Sequence, residues 1–178
     1  MKRISLAAAI VTMALAPAAT LPAQSAKAVS LGLSLGASIP TGDFGDLYQT
    51  GYNGTVSLIL NSVGTPLGFR VDGAFNSFPD RSDLVVSRPD YRIATGNANL
   101  VYALPGQGIR PYLIGGAGIY GQRPDISGAD WTTDFGVNGG IGAAFQLSGF
   151  TTFLEARYHH IFSERTTSYI PINFGITL

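Results

Sequence analysis

The last ten residues of the sequence leave few folds open. From Ile170 to Leu178, large apolar residues fill every even position, while Pro171, Asn173, Gly175 and Thr177 fill the odd ones. Side chains alternate between faces along a strand, so this stretch has one greasy face and one small or polar face. In water the greasy face needs a covering layer. In a barrel that crosses a bilayer it can meet lipid directly, and closure satisfies every backbone group. The pattern predicts a barrel strand with Ile170, Ile172, Phe174, Ile176 and Leu178 turned outward.

Composition supports that choice. Only 12% of the 178 residues are charged against 46% hydrophobic, and an ordinary soluble domain carries roughly 25% charge. The 23 glycines are spread through apolar segments, as expected where strands pack closely around a narrow lumen. Cysteine is absent, which excludes a disulfide framework and thiolate metal sites. No basic run points to nucleic acid.

The first 28 residues read as a secretory signal peptide. Met1-Lys2-Arg3 is a short positive start, Ile4 to Leu15 is small and apolar, and Ala26-Lys27-Ala28 has the form of a cleavage site. The apolar core is shorter than the about 20 residues a spanning helix needs. Removing Lys2, Arg3 and Lys27 lowers the basic count from 11 to 8 against 11 acids. The expected domain is 29–178, with net charge about −3.

Seven further alternating segments precede the closing one. Leu31, Leu33, Leu35 and Ala37 alternate with glycine and serine, ending at Pro40-Thr41-Gly42-Asp43, and a polar loop runs to about Thr50. The second segment, Tyr52 to Leu60, sets Val56, Leu58 and Leu60 against Asn53, Thr55 and Ser57. The third, Leu67 to Phe75, sets Leu67, Phe69, Val71 and Phe75 against Arg70, Asp72 and, just beyond, Asn76. Ile93 to Leu104 sets Ala98, Leu100, Tyr102 and Leu104 against Thr95, Asn97 and Asn99. Arg110 to Gly121 is glycine-rich, with Leu113, Ala117 and Ile119 expected outward. The sixth segment opposes Phe135, Val137, Ile141, Ala143, Phe145 and Leu147 to Asp134, Asn138, Gly140 and Gln146. The seventh, Thr151 to Phe162, opposes Leu154, Ala156, Tyr158 and Phe162 to Phe153, Glu155, Arg157 and His159.

The connections alternate too. The first, third, fifth and seventh are longer and polar, and the second, fourth and sixth are tight. An outer-membrane barrel has short periplasmic turns and longer outer loops, and an even strand number places both termini in the periplasm. The predicted fold is therefore all-β: an eight-stranded antiparallel up-and-down transmembrane β-barrel.

Eight strands enclose only side chains or one small ligand, while a diffusion pore needs about 16. The inward faces carry Arg70, Asp72, Glu155, Arg157 and His159. Unpaired charge is costly in a low dielectric, so these residues are expected to form a structural network that plugs the lumen. A narrow ion pathway is the functional alternative. Two aromatic belts are expected at the membrane interfaces. Tyr48, Tyr52, Tyr91, Tyr120, Trp131, Phe162 and Tyr169 would lie near the loops, and Phe69, Tyr102, Phe145 and Phe150 near the turns.

Four stretches carry a family resemblance: Pro111 to Tyr120, Phe135 to Gly142, Phe153 to Tyr158, and Ile170 to Ile176. They resemble the outer-membrane β-barrel domain family, which includes opacity-type surface proteins and the OmpA-type transmembrane domain. The resemblance implies insertion by the barrel-assembly machinery, with the last strand as its recognition signal, although Leu178 stands where an aromatic is usual. The expected role is structural, surface-display or adhesive, with the wall in contact with outer-membrane lipid and lipopolysaccharide and the loops displayed outward; the sequence names no loop partner.

Other readings are weaker. His160, Ser163 and Glu164 resemble the site of barrel-shaped lipid A deacylases. Here, however, His and Ser are three apart and point oppositely in a strand, so no enzyme is expected. A soluble periplasmic lipid-binding barrel would put Arg70, Asp72, Glu155 and Arg157 on its surface, with more Lys and Glu around them. No cofactor or metal site is expected.

Overall fold

A computed structural model describes residues 29–61, 65–81, 88–106, 108–147, 150–163 and 166–178. Residues 1–28, the Ser148-Gly149 turn, Asp83, Glu164 and Arg165 lie outside the described residues.

Period-2 sequence becomes strand along the whole domain. The elements are β1 (Val29–Thr41), α1 (Asp43–Leu47), β2 (Gly51–Asn61), β3 (Leu67–Phe78) and β4 (Tyr91–Ala103). β5 (Ile109–Pro124), β6 (Thr132–Leu147), β7 (Phe150–Ile161) and β8 (Thr167–Thr177) follow. Each strand pairs antiparallel with the next, and β8 returns to β1 to close the barrel. At the seam, Leu33 pairs with Ile176 and Leu35 with Phe174. No edge strand is left, which removes the usual template for aggregation.

The facing follows the alternation. Ile172, Phe174 and Leu178 are exposed on the outer wall, while Pro171, Asn173 and Gly175 are buried. The glycine-rich β5 obeys the same rule, with Leu113 and Ile119 outward and Tyr112, Ile114, Tyr120 and Gln122 inward. The greasy wall is thus outside and the polar wall inside, the reverse of a soluble barrel.

Glycine permits the tight inner wall. Asn97 on β4 stands opposite Gly118 on β5, and Asn99 stands opposite Gly116. Each asparagine amide oxygen lies so close to the facing glycine that an added Cβ would collide with it. Any other residue at Gly116 would also drive its Cβ into the Ala98 carbonyl.

Two expectations need correction. The polar loop after β1 contains α1, a single helical turn whose Phe44 is buried at the barrel mouth. The fifth connection, which the polar sequence predicts to run from Gln122 to Thr133, is shorter, because Gln122–Pro124 and Thr132–Thr133 belong to strands. Ladder hydrogen bonding carries β5 past Gln122 and Arg123 despite their weak β preference, while Thr132 and Thr133 favour a strand by themselves.

Candidate functional site

From the end that carries Val29 and Leu178, the lumen is filled in layers. A cavity of about 610 Å³ opens at that end, bordered by Ser30, Ile59, Asn61, Val101, Arg110 and Thr151. Further along the inward faces of β5 and β7 come the buried rings of Tyr112 and Phe153, and then the charged network.

The network joins β3 to β7 across the barrel. Arg70 donates from Nη2 to Glu155 Oε1 at 2.7 Å, and its Nε lies 3.1 Å from Asp72 Oδ1. Arg157 donates from Nη1 to Asp72 Oδ2 at 2.7 Å, and its Nε stands 2.8 Å from Glu155 Oε1. Two arginines and two acids thus form a ring with no net charge. Neutral donors complete it. Ser57 donates to Asp72 Oδ1 at 2.6 Å, Asn99 to Asp72 Oδ2 at 2.9 Å, and Tyr112 to Glu155 Oε2 at 2.8 Å.

All four charged residues are at most 4% exposed. Desolvating one such ion costs several kcal/mol, and close pairing with extra hydrogen bonds is what offsets it. The strand order explains the meeting. Arg70 and Asp72 are inward neighbours on β3, and Glu155 and Arg157 are inward neighbours on β7. Inverted order on facing walls sets each cation against both acids.

His159 sits one inward step beyond Arg157 and belongs to an aromatic layer instead. Its Nδ1 lies 2.9 Å from the Tyr120 hydroxyl, and its ring stacks on Tyr169 at 4.9 Å between centroids. Above them Phe78, Ile93, Ile161, Tyr48 and Phe44 close the loop end. Phe44 meets Phe78 edge-on at 5.0 Å and Tyr48 at 4.9 Å. Burial among these rings pushes the Tyr48 hydroxyl pKa up.

This layer corrects the expected loop-side belt. Tyr52, Trp131 and Phe162 are exposed on it, but Tyr48, Tyr120 and Tyr169 are buried inside and Tyr91 is half-buried. Strand parity turns Tyr120 and Tyr169 inward, and α1 carries Phe44 and Tyr48 into the mouth. On the turn side, Phe69, Tyr102 and Phe150 are exposed on the outer wall.

His160 faces outward between Tyr158 and Phe162, with ring centroids 6.3 and 5.1 Å away. Its Nδ1 lies 3.1 Å from Ser168 Oγ, across the β7–β8 ladder. Sequence reasoning singled out Ser163 instead, because cross-strand partners are invisible until the register is known. A hydrolase base also needs a third group to orient it. No carboxylate bonded to His160 occurs among the described residues.

Sequence reasoning also missed Tyr112, which reaches Glu155, and the capping role of Phe44. An aromatic at an inward parity position was the available signal for Tyr112.

Solved structures share this architecture. Neisserial surface protein A (NspA) is 15% identical, with TM-score 0.70 over 87% of this chain and 99% of that one. Ail, the attachment invasion locus protein of Yersinia pestis, is 14% identical, with TM-score 0.54 over 84% and 97%. The N-terminal β-barrel domain of Pseudomonas aeruginosa OprF is 12% identical, with TM-score 0.51 over 84% and 97%. At such identities the likeness concerns the fold. No curated protein matches the chain at a significant level. The model of the outer membrane protein beta-barrel domain matches residues 5–177, and the chain belongs to that family.

Proposed function

We propose that this barrel is a structural and surface-display element of the outer membrane, with its loops available for adhesion. The observation that carries the reading is the filled lumen: a neutral ion-paired ring and an aromatic cap stand in series between the two ends. A solute path would have to break both. What remains for function is the outer wall and the loop end.

Residues 1–28 act in this reading as a cleaved signal peptide, and both termini face the periplasm. The outward row Ile170, Ile172, Phe174, Ile176 and Leu178 serves as the signal for the barrel-assembly machinery, and the wall contacts outer-membrane lipid and lipopolysaccharide. Within the family, opacity-type and OmpA-type barrels are the nearest functional comparison. Ail is described as an attachment protein, which agrees with an adhesive role for the loops.

The test joins three measurements on the native membrane fraction. Heat-modifiable gel migration is expected, planar bilayers should show no steady conductance, and cells carrying the chain should adhere to host-type surfaces better than cells lacking it. Steady conductance through the folded protein would overturn the plugged reading. Unchanged adhesion would confine the role to the envelope itself.

A further inference from the structure

The outer wall changes character at one place on β4 and β5. Going toward the loop end, the outward residues of β4 are Tyr102, Leu100, Ala98, Gly96 and Ala94, and then Arg92. On β5 they are Leu113, Gly115, Ala117, Ile119 and Gly121, and then Arg123. The first charge in each of these outward rows is an arginine, and Arg92 and Arg123 are direct partners in the ladder. Like charges opposite one another repel, because such Cβ atoms lie only about 5 Å apart.

The surroundings answer half of that charge. Arg92 forms an ion pair with Asp125 that is about one-third exposed. Arg123 has a different neighbour: its guanidinium lies 4.8 Å from the centroid of the Trp131 ring, and its buried Nε has no hydrogen-bond partner. The indole edge rests on Gly121, where an added Cβ would sit 3.3 Å from it. One outward step below is the Ile119–Phe135 pair, exposed on the wall. Trp is the residue that settles at a lipid–water boundary. Arg92, Arg123 and Asp125 together carry one surplus positive charge, and both arginines occupy outward positions on the wall.

We propose that Arg92 and Arg123 form a binding site for the phosphate of a membrane lipid in the leaflet at the loop end, with Trp131 as its wall. Guanidinium matches phosphate in planar, two-point hydrogen bonding. A phosphate between the two arginines screens their repulsion, and its acyl chains run down past Ile119 and Phe135. The outer-wall position selects a lipid over a soluble anion. The site rests on the membrane reading above and names one lipid contact within it.

Trp131 is the chain's one tryptophan, so its fluorescence reports on the site directly. The full chain is inserted into phosphatidylcholine vesicles doped stepwise with phosphatidic acid, and inorganic phosphate is added to undoped vesicles in a second arm. Tryptophan emission should change saturably with phosphatidic acid and stay constant with inorganic phosphate. Arg92→Gln leaves the Arg123–Trp131 contact in place and should move the midpoint about tenfold or more, the value of a lost hydrogen bond to a charged group. Arg110→Gln, at the opposite rim, should leave it unmoved. A midpoint unaffected by Arg92→Gln and by Arg123→Lys, or saturation with inorganic phosphate alone, overturns the proposal. Loss of heat-modifiable migration in the parent chain would instead mark failure of the membrane reading.

Discussion

Arg70 and Glu155 stand 85 positions apart in the chain, and their side chains meet across the lumen at 2.7 Å. That contact exists only when β3 and β7 occupy opposite walls in the correct stagger. It therefore reports on the whole barrel, and the ring around it should dominate the response to mutation.

Asp72 is the ring's most connected member, accepting from Ser57, Arg70, Asn99 and Arg157. Asp72→Asn should lower folding stability by about 3–5 kcal/mol, because two buried cations lose a counter-charge. Urea unfolding of the vesicle-inserted protein measures this. The double variant Asp72→Asn, Arg157→Met should recover about 1–3 kcal/mol relative to the sum of its parts. Strictly additive losses would show that the charges do not act as one unit.

The aromatic cap should open without unfolding the barrel. Phe44 leans on Phe78, Tyr48 and Tyr91 from α1, outside the strand ladder. Phe44→Ala should speed amide exchange at Tyr48 while leaving the urea midpoint of the strands nearly unchanged. A large drop in that midpoint would mean that the cap is part of the barrel's cooperative unit.

Glycines on the two walls should respond oppositely. Gly116 faces inward against the Ala98 carbonyl and the Asn99 side chain, whereas Gly73 has nothing within 4 Å of an added Cβ. Gly116→Ala should cost about 1–3 kcal/mol by overpacking. Gly73→Ala should be neutral or stabilise by about 0.4–1 kcal/mol through the unfolded chain. Equal effects at both positions would sink the close-packing account of the inner wall.

The orientation has its own check. Ile126 lies in the connection after β5 and is 53% exposed, and Thr65 lies in the connection before β3 at the opposite end. The cysteine-free chain allows single labelling sites. Ile126→Cys should react with a membrane-impermeant maleimide on intact cells, and Thr65→Cys only after permeabilisation. The reverse pattern would invert the barrel in the membrane.

Much of this architecture is legible in the sequence. Alternation gave eight strands and their facing, because a lipid-facing wall imposes period 2 as strictly as a hydrophobic core does. Residue type alone placed Arg70, Asp72, Glu155 and Arg157 inside, but not their partners. Which arginine meets which acid depends on stagger across the lumen, a property of the closed ring. The inward facing of Tyr120 and Tyr169 was legible by parity, beside the outward Ile119 and Ile170, but their place near strand ends made them read as interface anchors. The five-residue α1 has too little intrinsic helix signal to be read, since it depends on Phe44 docking into a mouth built by distant strands.

The β1–β8 seam carries a consequence for how the molecule can fail. A strand in an open sheet can slip one residue at a local cost. Here a one-residue slip of β8 would turn Asn173 to lipid and Phe174 to the lumen, and the ring could not close around the error unless every other pairing shifted with it. Register is thus a property of the circumference, held in common by all eight ladders, and partial mis-threading has no halfway state in which to rest.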